Sequence, residues 1–182
     1  MTTARRHDPG GTSARFAAEL DQLFQERFPA LYRYLNRLAG DGQVAEDIAQ
    51  EAFIRLFHRG EMPDEPAAWL ITVATNLLRD DRRRTSRRLR IIERADAGLG
   101  LGAAPPDPAA SVVRAERQRQ VRDALARLTA RARQALLLRH SGFSYREIAV
   151  ALDMPEASVG TTLLRAGVAF RASYQELHGE PD

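Results

Sequence analysis

Apolar residues recur at every third or fourth position through most of this 182-residue chain, and no segment sustains the alternate spacing of a β-strand. The pattern is clearest in VAEDIAQEAFIRLF, where one stripe carries Val44, Ile48, Ala52 and Leu56. When the segment is drawn as a helix, its polar side chains lie on the other faces of that helix. The sequence therefore predicts an all-α fold.

Glycine and proline divide the helical pattern into two halves. Residues 95–111 hold three glycines, three prolines and leucine as their only large apolar residue, which is typical of a linker. We expect one small helical domain over residues 15–94 and another over residues 112–174, joined by a flexible linker. Residues 1–14 are expected to be disordered, and residues 175–182 to form a C-terminal tail.

Capping and turn residues place the individual helices. In the first half, the spacing predicts a helix from Phe16 to the glycine at Gly40, then the VAEDIAQEAFIRLF helix, and a third helix that starts near Pro66. In the second half it predicts helices over about 112–128 and 130–140, followed by two short ones.

Positive charge is concentrated in one segment of the third helix. Residues 76–94 contain eight arginines and three acidic residues, a net charge of +5, whereas the whole chain has a net charge of only +3. Every positive side chain of the chain is an arginine, whose guanidinium fits phosphate and guanine edges in a fork. A local basic stripe of this kind indicates a surface for a polyanion, most often nucleic acid, and a solvated helix surface is the alternative.

The segment SYREIAVALDMPEASVGTTLLRAGVAFR has helix-turn-helix spacing. Ser144 and Glu147 form a capping box at the start of a short helix, and Val159 follows Ala149 by ten residues. The turn needs a residue that tolerates positive φ, and Asp153 is one of the few non-glycine types that do. The alternative is an ordinary helical hairpin of a bundle.

Several kinds of chemistry are not expected. The chain has no cysteine, and its four histidines lie far apart in the sequence, so we expect neither a disulfide nor a metal site. No phosphate-binding loop or nucleophile motif occurs, and no cofactor or catalytic activity is expected. No segment approaches the length of a membrane span, so we expect a cytoplasmic protein without membrane insertion.

Three motifs in order resemble the extracytoplasmic-function (ECF) sigma factors of the sigma-70 family. They are AEDIAQEAFIRLF, then AWLITVATNLLRDDRRR, then LARLTARARQALLLRHSGFSYREIAVALDMPEASVGTTLLRA, and together they cover about residues 20–172. The resemblance implies a sigma region 2-like bundle followed by a region 4-like helix-turn-helix. It also implies a protein that directs core RNA polymerase to specific promoters and melts the −10 element.

The resemblance also assigns roles to individual residues. Asp47, Gln50 and Glu51 would bind core polymerase through the clamp helices of its largest subunit, and the flap of the second subunit is a further expected contact. The −10 DNA contacts would be Glu61, Met62, Asp64, Asn76, Arg79, Arg83, Arg84, Arg87 and Arg88. The −35 contacts in the major groove would be Ser158, Thr161, Thr162 and Arg165. In this helix the chain carries Gly160 and Thr162 where the family usually carries Lys and Arg.

Other functions remain open at this point. An autonomous helix-turn-helix regulator would bind a two-fold operator without polymerase, and an enzyme acting on nucleic acid would need convergent acids or a metal cluster. As a sigma factor the protein would act in the cytoplasm at the nucleoid, with promoter DNA and core polymerase as partners. An anti-sigma factor would be a further partner.

Overall fold

The computed structural model describes residues 9–95 and 110–179, and this part of the chain is helical without a β-strand. Its elements are α1 (Pro9–Ala39), α2 (Gly42–Arg59), α3 (Pro66–Ala95), α4 (Ala110–Ala126), α5 (Ala130–Ser141), α6 (Tyr145–Ala151) and α7 (Glu156–His178). The predicted all-α fold is confirmed, and so are the start of α3 at Pro66 and the end of α1 before Gly40.

The helices extend further at the chain ends than the spacing predicted. The first helix begins at Pro9 rather than Phe16, so residues 9–14 are helical and not disordered, while residues 1–8 lie outside the described part. The last helix continues to His178, which makes most of the predicted tail helical. Apolar periodicity does not detect such ends, because exposed terminal turns carry few apolar residues.

The linker prediction falls largely outside the described residues. The third helix ends at Ala95 and the fourth begins at Ala110, two residues before the predicted start at 112. Residues 96–109 are not described, so a flexible linker over 95–111 stays a prediction.

Helix α2 has caps at both ends and one fully apolar face. The Asp41 side chain accepts hydrogen bonds from the backbone N–H groups of Gln43 and Val44, and Gly60 ends the helix at φ +74°. Its buried residues are Ala45, Ile48, Ala49, Ala52, Phe53 and Leu56. This face packs on α1 and α3 and forms the core of the first half.

The second half contains the expected helix-turn-helix in α6 and α7. Ser144 and Glu147 form the capping box, and Asp153 in the turn has φ +49°. Ala149 and Val159 are buried where the two helices meet. These local predictions are confirmed, because each depends on the backbone conformation of a few neighbouring residues.

The two halves are packed against each other along a surface that we call the seam, where α1 and α3 meet α5 and α6. The hydrophobic core continues across it, from Leu31 and Leu35 of α1 to Leu138 of α5. Tyr34 of α1 belongs to this core and is fully buried, with an exposed fraction of 0%. The sequence pattern predicted two domains but not this contact between them.

Candidate protein and nucleic-acid interfaces

Helix α2 presents an acidic and amide face opposite its buried face. Asp47 and Gln50 are exposed, and Glu51 is partly exposed. At about 100° per residue, these three lie within an arc of roughly 100° around the helix axis. Glu51 pairs with Arg55 at 2.9 Å, and Asp47 accepts a hydrogen bond from Gln43. The face is therefore ordered by bonds along its own helix and is open to a partner.

Two exposed apolar side chains lie on or beside the same face, and sequence reasoning missed them. Ile54 is 48% exposed and Phe57 is 59% exposed. Ile54 follows Gln50 by four residues and Phe57 follows Ile54 by three, which is the spacing that aligns residues along one side of a helix. Large exposed apolar residues rimmed by polar ones are typical of protein interfaces. Both residues could have been found from the sequence, because helical spacing places them away from the buried face of α2 once that face is assigned.

The loop between α2 and α3 is held by contacts to Arg59. Its guanidinium pairs with Glu61 at 2.9 Å and lies 5.9 Å from the centre of the Trp69 ring. Met62 is partly buried against the core, whereas Glu61 and Asp64 are exposed. Met62 is one of the three loop residues predicted to contact −10 DNA, and its packing against the core also anchors the loop.

Helix α3 separates its basic face from its buried face. Asn76, Arg79 and Arg83 lie within an arc of roughly 60° and are exposed, while Ile71 and Leu78 are buried on the other side. Arg79 donates to the Asn76 side chain at 3.4 Å. Arg84 is also exposed and flanks this face. The structure thus brings four predicted −10 residues onto one surface of one helix.

One arginine of the basic segment has a structural partner. Arg82 follows Leu78 on the inner side of α3 and donates to the backbone carbonyl of Leu38 in the last turn of α1. Carbonyls at a helix end lack an intrahelical partner, so this bond caps α1. The side chains of Arg87 and Arg88 lie outside the described set, although α3 continues through both positions.

The second helix of the helix-turn-helix presents the predicted −35 residues together. Ser158, Thr161 and Arg165 are exposed and Thr162 is partly exposed, within an arc of roughly 100°. Val159 is buried on a different side of α7. This arrangement matches a recognition helix that presents its first turns to base edges.

Gly160 does not belong to that surface. A side-chain carbon placed on Gly160 would lie 3.7 Å from the Tyr145 ring of α6, an ordinary contact distance. The residue faces α6 rather than the side that carries Thr161 and Arg165. Glycine at this position, where the family usually carries a basic residue, therefore removes no side chain from the face of α7 that carries Thr161 and Arg165.

Among the described residues, two ion pairs cross the seam, and both involve the helix-turn-helix. Arg27 of α1 lies 3.0 Å from Oε1 of Glu147, whose Oε2 accepts from the backbone N–H and hydroxyl of Ser144. Arg146 of α6 donates to Glu65, the last residue before α3, at 2.7 Å. The capping carboxylate of α6 is thus shared with the first half of the chain.

Hydrogen bonds also join side chains and backbone groups at the seam. Arg33 donates to the Ser141 carbonyl at 3.1 Å, and Arg37 donates to the Ser141 hydroxyl at 3.2 Å. The Tyr34 hydroxyl is 3.1 Å from the Thr75 hydroxyl, and Gln134 of α5 lies beside it. Burial raises the pKa of Tyr34 against the opposing effect of these hydrogen bonds. The seam therefore contains specific polar contacts as well as apolar ones.

Within residues 9–95 and 110–179, no three histidine or acidic side chains come together as metal ligands would. No helix of this same part has the length and apolar character needed to span a bilayer.

The exposed basic face of α3 and the helix-turn-helix of α6 and α7 together define a two-domain helical protein of the DNA-binding class. Comparison with family models gives the same division of the chain. Residues 23–88 match sigma-70 region 2, and residues 118–166 match sigma-70 region 4.

Known proteins similar to the whole chain identify the family. The ECF RNA polymerase sigma factor SigL of Mycobacterium tuberculosis is 34% identical over 92% of this chain and 95% of its own. The RNA polymerase sigma factor CarQ of Myxococcus xanthus is 31% identical over 88% and 89%. The chain belongs to the ECF sigma factors of the sigma-70 family, and it functions as an RNA polymerase sigma factor.

A solved structure supports the fold. The sigma factor RpoE of Bartonella quintana, determined in complex with the anti-sigma factor NepR, matches with a TM-score of 0.57 over 87% of this chain and 96% of that chain. The two sequences are 23% identical, so this likeness concerns the fold alone.

Proposed function

We propose that this sigma factor divides its work among three surfaces: α2 binds core polymerase, the loop before α3 and the basic face of α3 bind the −10 element, and α7 reads the −35 element. The proposal rests on one observation: on each of these helices the candidate residues and the buried residues lie on different faces. In α2, α3 and α7 alike, the described candidate residues are exposed or partly exposed and lie on a different side from the buried residues.

The α2 surface suits a protein partner better than DNA. Asp47 and Glu51 would repel phosphates, whereas a basic surface of polymerase would attract them. Ile54 and Phe57 add apolar area of the kind that dominates interface energies. By family resemblance the partner is the clamp-helix segment of the largest polymerase subunit, and the flap of the second subunit would hold the second half.

The basic face of α3 supports phosphate binding, and the loop beside it supports contact with an unpaired base. Arg79, Arg83 and Arg84 add positive charge to the helix that begins at the end of this loop, and Arg59 and Met62 hold the loop in place. Single-stranded DNA is held by cations along its backbone together with a stacking or enclosing surface for its bases. Nucleotide addition belongs to core polymerase, so we propose no catalytic step in this chain.

An anti-sigma factor is the regulatory partner that we propose, because the solved relative of similar fold is bound to one. The site of action that we propose is the cytoplasm, at the nucleoid, where promoter DNA and polymerase are found. Both statements follow from the family to which the chain belongs.

Reading both promoter elements at once requires the seam to open. Positions −10 and −35 are about 25 base pairs apart, roughly 85 Å of duplex at about 3.4 Å per base pair. In the packed arrangement, however, Arg146 of the helix-turn-helix touches Glu65 beside the −10 loop. We therefore propose that the packed arrangement precedes promoter binding.

The test is transcription in vitro with purified core polymerase, followed by mapping of the start sites. Wild-type protein should direct initiation from specific start sites, and a variant with Asp47→Ala and Gln50→Ala should not co-purify with core or support transcription. Both changes are at exposed positions, so the melting temperature should hardly change. A double variant that regulates a two-fold operator as well as wild type, without polymerase, would contradict the proposal.

A further inference from the structure

A cavity at the seam has no part in the polymerase and promoter contacts proposed above. Its volume is about 540 Å³, and its walls come from the end of α1 and from α4, α5 and α7. Cavities that bind small molecules are usually about 300–1,000 Å³ in volume. Both halves of the chain therefore build one cavity of ligand size.

Most of the cavity wall is apolar. Val121 and Leu125 of α4, Leu136 of α5 and Phe170 of α7 contribute side chains to it. Such a surface releases water favourably when it receives an alkyl chain or an aromatic ring.

The polar part of the wall carries three arginines and no acidic residue. Arg37, Arg117 and Arg122 line the cavity together with Asn36, Gln118 and His140, and no aspartate or glutamate does. Among the described residues, none of these three arginines lies within ion-pair distance of a carboxylate. Arg37 uses one of its N–H groups on Ser141 and keeps others for a ligand. An anionic group would therefore meet unneutralised positive charge.

The volume of the cavity lies within the range of small-molecule sites. Its wall combines a mostly apolar surface with arginine side chains, which suits a small molecule that carries both an apolar part and an anionic group.

We propose that the seam cavity binds a small amphipathic anion, an alkyl chain or ring that carries one carboxylate or phosphate group. The chain or ring would contact Leu125, Leu136 and Phe170, and the anion would bind Arg122 and its cationic neighbours. Because the walls come from both halves, the ligand binds the packed arrangement and stabilises it by mass action. This last consequence rests on the proposed function, since it makes the ligand an inhibitor of promoter binding.

Isothermal titration calorimetry on the full chain tests the site, with decanoate as the probe. Decanol and decyltrimethylammonium are the uncharged and cationic comparisons. We expect one decanoate per chain, bound about tenfold more tightly than decanol, and no binding of the cation. Replacing Arg122 by glutamine should weaken decanoate about tenfold and leave decanol unchanged, whereas Leu136→Trp should fill the cavity and abolish binding of both.

Arg131→Gln is the matched control, because Arg131 is exposed on α5 and does not line the cavity. Its decanoate affinity should equal that of wild type. Equal affinities for decanoate and decanol, or binding that neither Arg122→Gln nor Leu136→Trp weakens, would overturn the site. Tight binding of an acidic amphipathic peptide without any binding of decanoate would also overturn it and would assign the seam to a protein partner.

Transcription with core polymerase tests the consequence separately. Decanoate should inhibit wild-type initiation at the concentrations at which it binds, and inhibition of the Arg122→Gln variant should need about tenfold more. If decanoate binds but does not inhibit an active wild-type protein, the coupling to seam opening is wrong. If the chain supports no transcription without decanoate, the proposed function fails, and the calorimetric result is unaffected.

Discussion

Replacing Arg27 by glutamine should open the seam in a measurable fraction of molecules. The pair between Arg27 and Glu147 is partly buried, with exposed side-chain fractions of 35% and 11%. We expect this ion pair to contribute about 1–2 kcal/mol to the stability of the packed arrangement. That value lies between the contribution of an exposed ion pair and that of a buried hydrogen bond to a charged group. At about 1.4 kcal/mol per factor of ten, its loss lowers the ratio of packed to open molecules by roughly 5- to 30-fold.

The effect should be confined to the seam. Glu147 keeps its bonds to the Ser144 backbone and hydroxyl, so α6 remains capped and the carboxylate remains hydrogen-bonded. Arg133 of α5 has a buried Nε without a hydrogen-bond partner among the described residues. Such a group costs about 1–3 kcal/mol and offsets part of the stability of the packed arrangement.

Energy transfer between two dyes measures this balance directly. The chain has no cysteine, so Gln25→Cys on α1 and Ala172→Cys on α7 provide specific labels at exposed positions. Transfer efficiency should fall when Arg27→Gln is added. In the protein that retains Arg27 it should fall as salt is raised, because salt screens the seam ion pairs.

Arg127→Gln is the control for this experiment. It removes the ion pair with Glu176, which joins α4 and α7 inside the second half and does not cross the seam. Its transfer efficiency should match that of the labelled parent. If Arg27→Gln also matches the parent at every salt concentration, the ion pair does not hold the halves together and the energetic argument is refuted.

Further variants test the promoter contacts and the local structure of the helix-turn-helix. Arg83→Ala with Arg84→Ala should weaken holoenzyme binding to all promoters alike and flatten the salt slope by about one to two units, as measured by binding across a salt series. Arg165→Ala should instead change the preference among −35 sequences, and a uniform loss on every sequence would contradict its reading role. In urea unfolding, Ser144→Ala should lower the free energy of unfolding by about 1 kcal/mol, because it removes the cap of α6. Asp153→Gly should maintain or raise that free energy, because glycine adopts the observed positive φ without steric cost; a clear loss would contradict the turn assignment.

Much of the fold and of the candidate surfaces could be predicted from the sequence. The buried stripe of α2 follows from apolar spacing, and that stripe fixes Asp47 and Gln50 on the exposed side. The exposure of Ser158 and Arg165 likewise follows once Val159 is taken as buried. What the exposed residues bind is a prediction from family resemblance.

The sequence by itself determined the features that depend on a few neighbouring residues. The capping box of Ser144 and Glu147 and the positive φ of Asp153 are of this kind, because each involves backbone groups within three or four positions. The net charge of the arginine segment is also a property of the sequence alone.

The tertiary structure decided the features that join distant parts of the chain. Arg33 meets Ser141 across 108 positions, and Arg82 reaches α1 across 44 positions, where it caps the end of that helix. Periodicity shows which face of a helix is apolar but not which other helix covers it, so the burial of Tyr34 and the cationic cavity could not be read from the sequence. Both exist because the two helical halves pack along α1 and α5, and that choice depends on shape and charge matching over the whole surface.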